Sequence, residues 1–234
     1  MSSKFIERVF LGTGEGCPDK QTLETIEAYF QELIDWNKKT DLTGLRDLEA
    51  MAIKHLGDTL TLLPYIEDQE LKIIDIGTGA GIPGILLKIL RPKTCVVLVD
   101  SRRKRISFLR YCIARLGLKD IEAINMRLTP ESASTLTKMA KSCKNAPSID
   151  KFSSYFDIAL SRAALDLSTM AKLTRPILKK RGRFILMKGP KGLQEIESAR
   201  PLLVQDGWKI WYRETKLPII GDRRVLIFGM VATD

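Results

Sequence analysis

Histidine is nearly missing from this chain: 234 residues contain one, His55, and the four cysteines (Cys17, Cys95, Cys112, Cys143) stand far apart without a C-x-x-C pair. A zinc site draws its ligands from clustered Cys and His, so no metal is expected. The thiols read as ordinary reduced ones, with Cys95 and Cys112 filling apolar segments. Also lacking is any apolar run near the roughly 20 residues that span a bilayer. The opening "MSSKFIERVFLG" mixes charges into its short apolar stretch instead of separating a basic head from an apolar segment, so the chain is expected to be cytoplasmic. Internal repeats are missing as well.

What is present is a substantial core and an uneven charge. With 44% hydrophobic residues the length fits one large domain or a domain with a small attachment. The net charge of +10 divides sharply, since residues 1–68 carry 7 Lys/Arg against 13 Asp/Glu (−6) and residues 69–234 carry 31 against 15 (+16). The second part should attract a polyanion. In the first part Leu23, Ile26, Phe30, Leu33 and Ile34 recur at helical spacing, and a second helix is expected over 48–63, ending at Pro64. The expected division is therefore a leader and helical attachment over 1–68 and an α/β domain over 69–234.

In that second part the apolar runs "LKIIDIG" (71–77), "CVVLVD" (95–100), "IEAINM" (121–126), "FDIALS" (156–161) and "RFILMK" (183–188) alternate with helical patterns. Such alternation implies a parallel sheet covered on both faces. The end of the chain, "GWKIWYRETKLP" and then "RRVLIFGMV", reads as an antiparallel hairpin, and 138–154, rich in Lys and Ser, reads as a loop.

Two glycine runs compete for the role of nucleotide loop, "GTGEG" (12–16) and "GTGAG" (77–81), each with an aspartate 23 residues past its first glycine, Asp35 and Asp100. Only the second follows an apolar strand and opens a helix, "GIPGILLKIL", which sets free helical N–H groups beside a ligand. Asp100 ends the next strand, where its carboxylate can accept both hydroxyls of a ribose. The first run leads into Cys17 and Pro18, and its Asp35 lies in the amphipathic helix, so it reads as a flexible leader. Gly79, Gly81 and Gly84 also satisfy the dinucleotide pattern G-x-G-x-x-G. Asp75, two residues before Gly77, favours S-adenosylmethionine, because a carboxylate there can meet the ammonium of a methionine moiety and would repel a pyrophosphate. The downstream order of strand, helix, glycine turn, strand and hairpin follows that of class I methyltransferases with their Rossmann-like sheet.

Several segments together resemble the bacterial small-subunit (16S) rRNA guanine-N7 methyltransferases, the glucose-inhibited division protein B family: "DWNKKTDLTGL" (35–45), "KHLGDTL" (54–60), "DIGTGAGIPG" (75–84), "VDSRRKRISFL" (99–109), "SRAALDL" (161–167), "KGP" (188–190) and "GDRRVLI" (221–227). The resemblance runs from about Gln21 to the carboxyl terminus. It implies S-adenosylmethionine as donor and N7 of one guanosine in the decoding region as acceptor. The RNA would be met within a ribosomal subunit or assembly intermediate, without DNA or membrane. Carried across by motif, the cofactor contacts would be Gly77 and Ile82, with Gly79 and Gly81 of the same loop, then Asp100, Ser101 and Arg102, then Leu128 and Thr129, and finally Arg162. Threonine at 129 departs from the acidic residue usual in the family after the third strand.

Guanine N7 offers a lone pair and has no proton to lose, so in-line displacement needs no general base, and orientation and electrostatics must supply most of the rate. The candidates for that role are Arg162, past the fourth strand, and Lys188, past the fifth; His55 and Asp58 could line the cleft. No Asn/Asp-Pro-Pro-aromatic motif for an exocyclic amine occurs. Four cations in "SRRKR" (101–105) open a helix whose dipole they oppose, at about 0.3–1 kcal/mol each when exposed, and an anionic partner would remove that penalty. Arg103, Lys104 and Arg105 are therefore candidate RNA contacts, as are Lys180 and Arg181 of a second basic run and Arg223 and Arg224 of a third, provided the runs share one face. Two other readings stay open on the residues alone: an NADP-dependent oxidoreductase using 79–84 with Arg102 and Arg103, and an RNA-binding protein of this fold without catalysis.

Overall fold

The computed structural model describes residues 3–13, 16–132, 135, 136 and 155–232. The expected loop at 138–154 lies outside them. Seven strands form one sheet: β1 (Lys72–Ile76), β2 (Cys95–Asp100), β3 (Ile121–Asn125), β4 (Phe156–Arg162), β5 (Leu178–Lys188), β6 (Trp208–Lys216) and β7 (Arg223–Val231). Their order is β3-β2-β1-β4-β5-β7-β6, parallel up to β5, with β7 antiparallel to both β5 and β6. The terminal hairpin is as expected, with its second strand inserted next to β5. Chain order reverses between β1 and β4, and a cleft opens at the carboxyl ends of strands where such a reversal occurs.

Successive residues of a strand face opposite ways, and here both faces are dry. Ile73, Val96, Leu98, Ile158, Leu160, Ile185 and Met187 pack on one side with the helices α5 (Gly84–Leu90) and α6 (Arg103–Arg115). Ile74, Val97, Val99, Ala159, Phe184 and Leu186 pack on the other with α7 (Leu167–Thr174) and α8 (Gly192–Gln205). Burial on both faces explains why these strands read as continuous apolar runs. Cys112 is a buried free thiol in the first of these layers. Cys95 is disulfide-bonded, which corrects its reading as a reduced thiol.

The acidic first part packs into the first layer. Its α2 (Lys20–Asn37) is capped by Asp19, whose carboxylate accepts from the Thr22 N–H at 2.8 Å, and buries Leu23, Ile26, Tyr29, Phe30 and Leu33. Trp36 meets Phe108 and Tyr111 of α6 at ring separations of 5.6 and 5.3 Å. Ahead of the first glycine run lies helix α1 (Ser3–Leu11), with Ile6, Val9 and Phe10 buried at i, i+3 and i+4. Gly12 closes that helix against Pro218 of the β6–β7 loop, and positions 14 and 15 of the first glycine run lie outside the described residues. The expected second helix is split: α3 (Leu48–Met51), a π-helical turn (Ala52–Leu56) and α4 (Gly57–Leu60). Among the described residues no helix is long and apolar enough to cross a membrane.

One contact ties this helical part to the glycine loop directly: the buried Tyr29 hydroxyl donates to the Ala80 carbonyl at 2.7 Å. Tyr29→Phe leaves that carbonyl short of a partner at about 1–3 kcal/mol. A lower urea midpoint together with weaker nucleoside binding is expected, and an unchanged midpoint would show that the bond contributes nothing.

Candidate active site

The loop after β1 is shaped by its glycines and by two carboxylates beneath it. Gly77, Gly79 and Gly81 have φ of +70°, +60° and +93°. At Gly77 a Cβ would come within 2.6 Å of the Ala164 methyl, and at Gly81 within 2.7 Å of Leu109. Asp75, fully buried, accepts on Oδ2 from the Thr78 hydroxyl (2.7 Å) and from the Gly84 N–H (3.0 Å) that opens α5. Part of its role is thus to form the turn. Its Oδ1 is buried with no hydrogen-bond partner. Burial pushes its pKa up from 3.8 to about 6, against the opposing pull of those two hydrogen bonds and of the Arg162 charge.

Asp100 ends β2 as expected, and its carboxylate is already engaged. Oδ2 accepts from the Gly79 N–H at 3.0 Å and from Arg105 Nη1 at 3.1 Å, and Oδ1 accepts from the Arg102 N–H at 2.8 Å. Arg105 therefore turns inward to the glycine loop, while Ser101, Arg102, Arg103 and Lys104 stay exposed. Ile82 and Leu128 are buried. Thr129 closes a turn with Ser132, and its hydroxyl bonds the carboxylate of Glu131, so an acidic group stands two residues beyond the position where one was missed.

At the end of β4, Arg162 reaches across to the helical part. Its Nη2 lies 3.1 Å from His55 Nδ1 and its Nε 3.5 Å from Asp58 Oδ2, while Nη1 is buried and unpaired. Asp58 also accepts from Arg224 Nε at 2.7 Å. Lys188 is not beside Arg162. Arg162 registers with Met187, so the next residue of β5 points to the other face of the sheet, where Lys188 pairs with Glu195 of α8 at 3.0 Å. The basic runs also separate. Arg223 and Arg224 begin the antiparallel β7 opposite the end of β5 and share the end with Arg162. Lys180 and Arg181 begin β5 at the far end of the sheet, so the shared face expected for them is not found.

The sequence of this cleft can be matched elsewhere. A family model described as "GidB: rRNA small subunit methyltransferase G" covers residues 22–210. The relative of that name from Oceanobacillus iheyensis is 35% identical over 92% of this chain and 84% of its own length, and that from Staphylococcus carnosus is 36% identical over 89% and 82%. The chain belongs to the rRNA small subunit methyltransferase G family. Solved structures agree in fold alone. A precorrin-6y C5,15-methyltransferase from Geobacter metallireducens has a TM-score of 0.52 at 14% identity, covering 82% of this chain and 92% of that one. The Methanococcus jannaschii fibrillarin pre-rRNA processing protein has 0.52 at 15%, covering 72% and 70%.

S-adenosylmethionine is the methyl donor of this family. The donor's amino-acid end is a zwitterion. The cleft offers three buried polar atoms without partners, the donor Arg105 Nε beside Asp100 and, at the ends of neighbouring strands, the acceptor Asp75 Oδ1 and the donor Arg162 Nη1. The glycine loop, free of Cβ atoms, lets a ligand approach its N–H groups. These residues fit the group.

His55 in the GidB cleft is buried and neutral: burial first, then the Arg162 and Lys54 charges, lower its pKa from 6.5 to about 3. Between those values the unfolded chain binds a proton that the folded chain refuses, so stability falls as pH drops through that window. Asp75 acts oppositely, since its folded pKa is raised: its contribution is full below about pH 3.8 and is lost as pH rises to about 6. In His55→Asn only the second slope remains. The urea midpoint of the variant relative to the parent should rise as pH is lowered from about 7 to 5, and a pH-independent difference would contradict the buried neutral ring.

Proposed function

We propose that the chain transfers a methyl group from S-adenosylmethionine to N7 of a guanosine in the decoding region of small-subunit (16S) rRNA, at the cleft above β1, β2 and β4. The pair of unpaired buried atoms, Asp75 Oδ1 and Arg162 Nη1, carries this reading. Asp75 Oδ1 would hold the ammonium of the cofactor and Arg162 Nη1 its carboxylate. Asp100 would hold the ribose hydroxyls in place of its Arg105 contact, and Leu128 and Thr129 would hold the adenine. When bound, the cofactor supplies an electrophilic methyl on a sulfonium.

The protein's share of the rate is then placement. Arg162 and Asp75 fix the amino-acid end, and Gly77, Gly79, Gly81 and Ile82 set the height of the ligand above the strands. No residue has to remove a proton, because N7 attacks through its lone pair, and the single histidine is committed to hydrogen bonds. In this reading residues 1–68 are an attachment that buttresses the methyltransferase part, 69–234. The RNA is taken in the cytoplasm, within a subunit or assembly intermediate. Exposed Arg102, Arg103 and Lys104, beside the loop, and Arg223, at the start of β7, follow its phosphates.

Asp100→Ala should weaken S-adenosylhomocysteine about tenfold or more in calorimetric titration, by loss of hydrogen bonds to a charged group; unchanged affinity would remove Asp100 from the site. Arg162→Ala should retain cooperative unfolding and lose most methyl transfer, whereas near-normal single-turnover rates would show that Arg162 holds nothing in the reaction. With Arg103→Glu and Lys104→Glu combined, the plot of log affinity for RNA against log salt should flatten by about one to two phosphate contacts. An unaltered slope would make that run a solvated face.

A further inference from the structure

The His55 ring has a defined partner on each nitrogen. Nδ1 lies 3.1 Å from Arg162 Nη2, and Nε2 lies 2.9 Å from Thr43 Oγ1. A guanidinium donates and never accepts, so Nδ1 must be the acceptor and the ring proton must sit on Nε2, where it donates to the Thr43 hydroxyl. Thr43 is held in turn by Asn37, at the end of α2. The Asn37 Oδ1 accepts from the N–H groups of Leu42 and Thr43 at 2.9 and 3.1 Å, and its Nδ2 donates to the carbonyls of Thr43 and Leu45 at 2.7 and 3.1 Å. Four hydrogen bonds from one buried amide thus fold 37–45 into a closed loop that presents a hydroxyl to the ring. His55 itself rides on the π-helical turn Ala52–Leu56, and such turns recur at functional sites.

Arg162 is gripped twice from this side, by His55 on Nη2 and by Asp58 on Nε, and Asp58 is itself tied to Arg224. Two of the three guanidinium nitrogens are engaged, which leaves Nη1, buried and unpaired, with its direction set by the other two. A side chain that only filled space beside Arg162 would need neither a lone pair on Nδ1 nor a hydroxyl behind Nε2.

We propose that His55 and Thr43 are positioning residues for the methyl donor: the Arg162 guanidinium sets the ring as the Nε2–H tautomer, the Thr43 hydroxyl accepts from Nε2 and holds the ring in place, and Nδ1, accepting from Arg162, aims Nη1 at the carboxylate of the donor's amino-acid end. The inference rests on the reading of Arg162 given above. It also assigns a purpose to the segment "DWNKKTDLTGL" (35–45), which lies far from the glycine loop in sequence: Asn37 and Thr43 act on the cofactor through His55 and Arg162.

The test compares two ligands by calorimetric titration of the full chain, S-adenosylhomocysteine and 5′-methylthioadenosine, which share the nucleoside and differ in the amino-acid end. His55→Leu should weaken the first about tenfold, as expected for a hydrogen bond to a charged group, and leave the second within about twofold. His55→Asn, whose Oδ1 can stand where Nδ1 stood, should recover most of that loss, and Thr43→Val should weaken the first ligand by about threefold alone. Equal weakening of both ligands without recovery in His55→Asn would make the ring a packing element and overturn the proposal. So would parent-like affinities in His55→Leu. If His55→Leu does not fold, Thr43→Val and His55→Asn decide: no selective loss in Thr43→Val overturns the positioning of the ring by Thr43. Arg162→Ala in the same titration separates the two readings. If it spares S-adenosylhomocysteine, the Arg162 assignment falls and this proposal with it; if it weakens that ligand selectively while His55→Leu does not, only the histidine's role falls.

Discussion

The Asp58 carboxylate stands between two guanidiniums, Arg162 from β4 and Arg224 from β7, and it comes from the helical part of the chain. Removing Asp58 would take the shared carboxylate from both guanidiniums, the situation in which loss of one partner is strongly destabilising, whereas removing either arginine leaves Asp58 paired with the other. This yoke decides how the acidic first part sits on the sheet. It also sets where Arg162 can point, and the remaining geometry of the cleft is arranged around that direction. Tyr29 does for the glycine loop what Asp58 does for the arginine, fixing the Ala80 carbonyl from the same side. The acidic attachment is therefore part of the site's wall.

The two aspartates of the sheet show how a single carboxylate can shape a loop and still keep capacity for a ligand. Asp75 spends one oxygen on Thr78 and Gly84 and keeps the other. The close fit there is severe: a Cβ on Gly84 would lie 2.2 Å from Leu98 and 2.8 Å from the Asp75 carboxylate, so the helix can approach the strand only with glycine at that position. Asp100 has both oxygens engaged, Oδ1 by the Arg102 N–H and Oδ2 by the Gly79 N–H and the Arg105 guanidinium, and in the proposed reading a ribose diol takes the place of the Arg105 contact alone. Binding at this site is an exchange of hydrogen bonds more than a creation of them, which limits its net contribution.

Much of this was legible before any coordinates. The alternation of apolar runs with helical patterns located β1 to β5, because strands buried on both faces offer few polar positions to confuse the reading, and the loop without room for a helix located the hairpin of β6 and β7. The choice between the two glycine runs followed from what flanks each. The errors have a common cause in facts that only pairing supplies. Whether Lys188 or Arg162 faces the helical part depends on strand parity and register, and whether Lys180 stands beside Arg223 depends on which end of β5 it occupies. The Arg162–His55 and Arg224–Asp58 contacts join residues 107 and 166 apart in the chain, beyond any local pattern. Helix α1 is different: Ile6, Val9 and Phe10 carried its periodicity openly, in a stretch read only for its mixture of charged and apolar residues.

The account stands or falls on the identity of donor, acceptor and atom together. The most direct measurement is transfer of labelled methyl from S-adenosylmethionine to small ribosomal subunits that lack N7-methylguanosine, with the modified base mapped by chemical cleavage at that lesion. The account predicts label at one N7-methylguanosine in the decoding region. Label at another atom or base, or none on any assembly state despite intact cofactor binding, would contradict it.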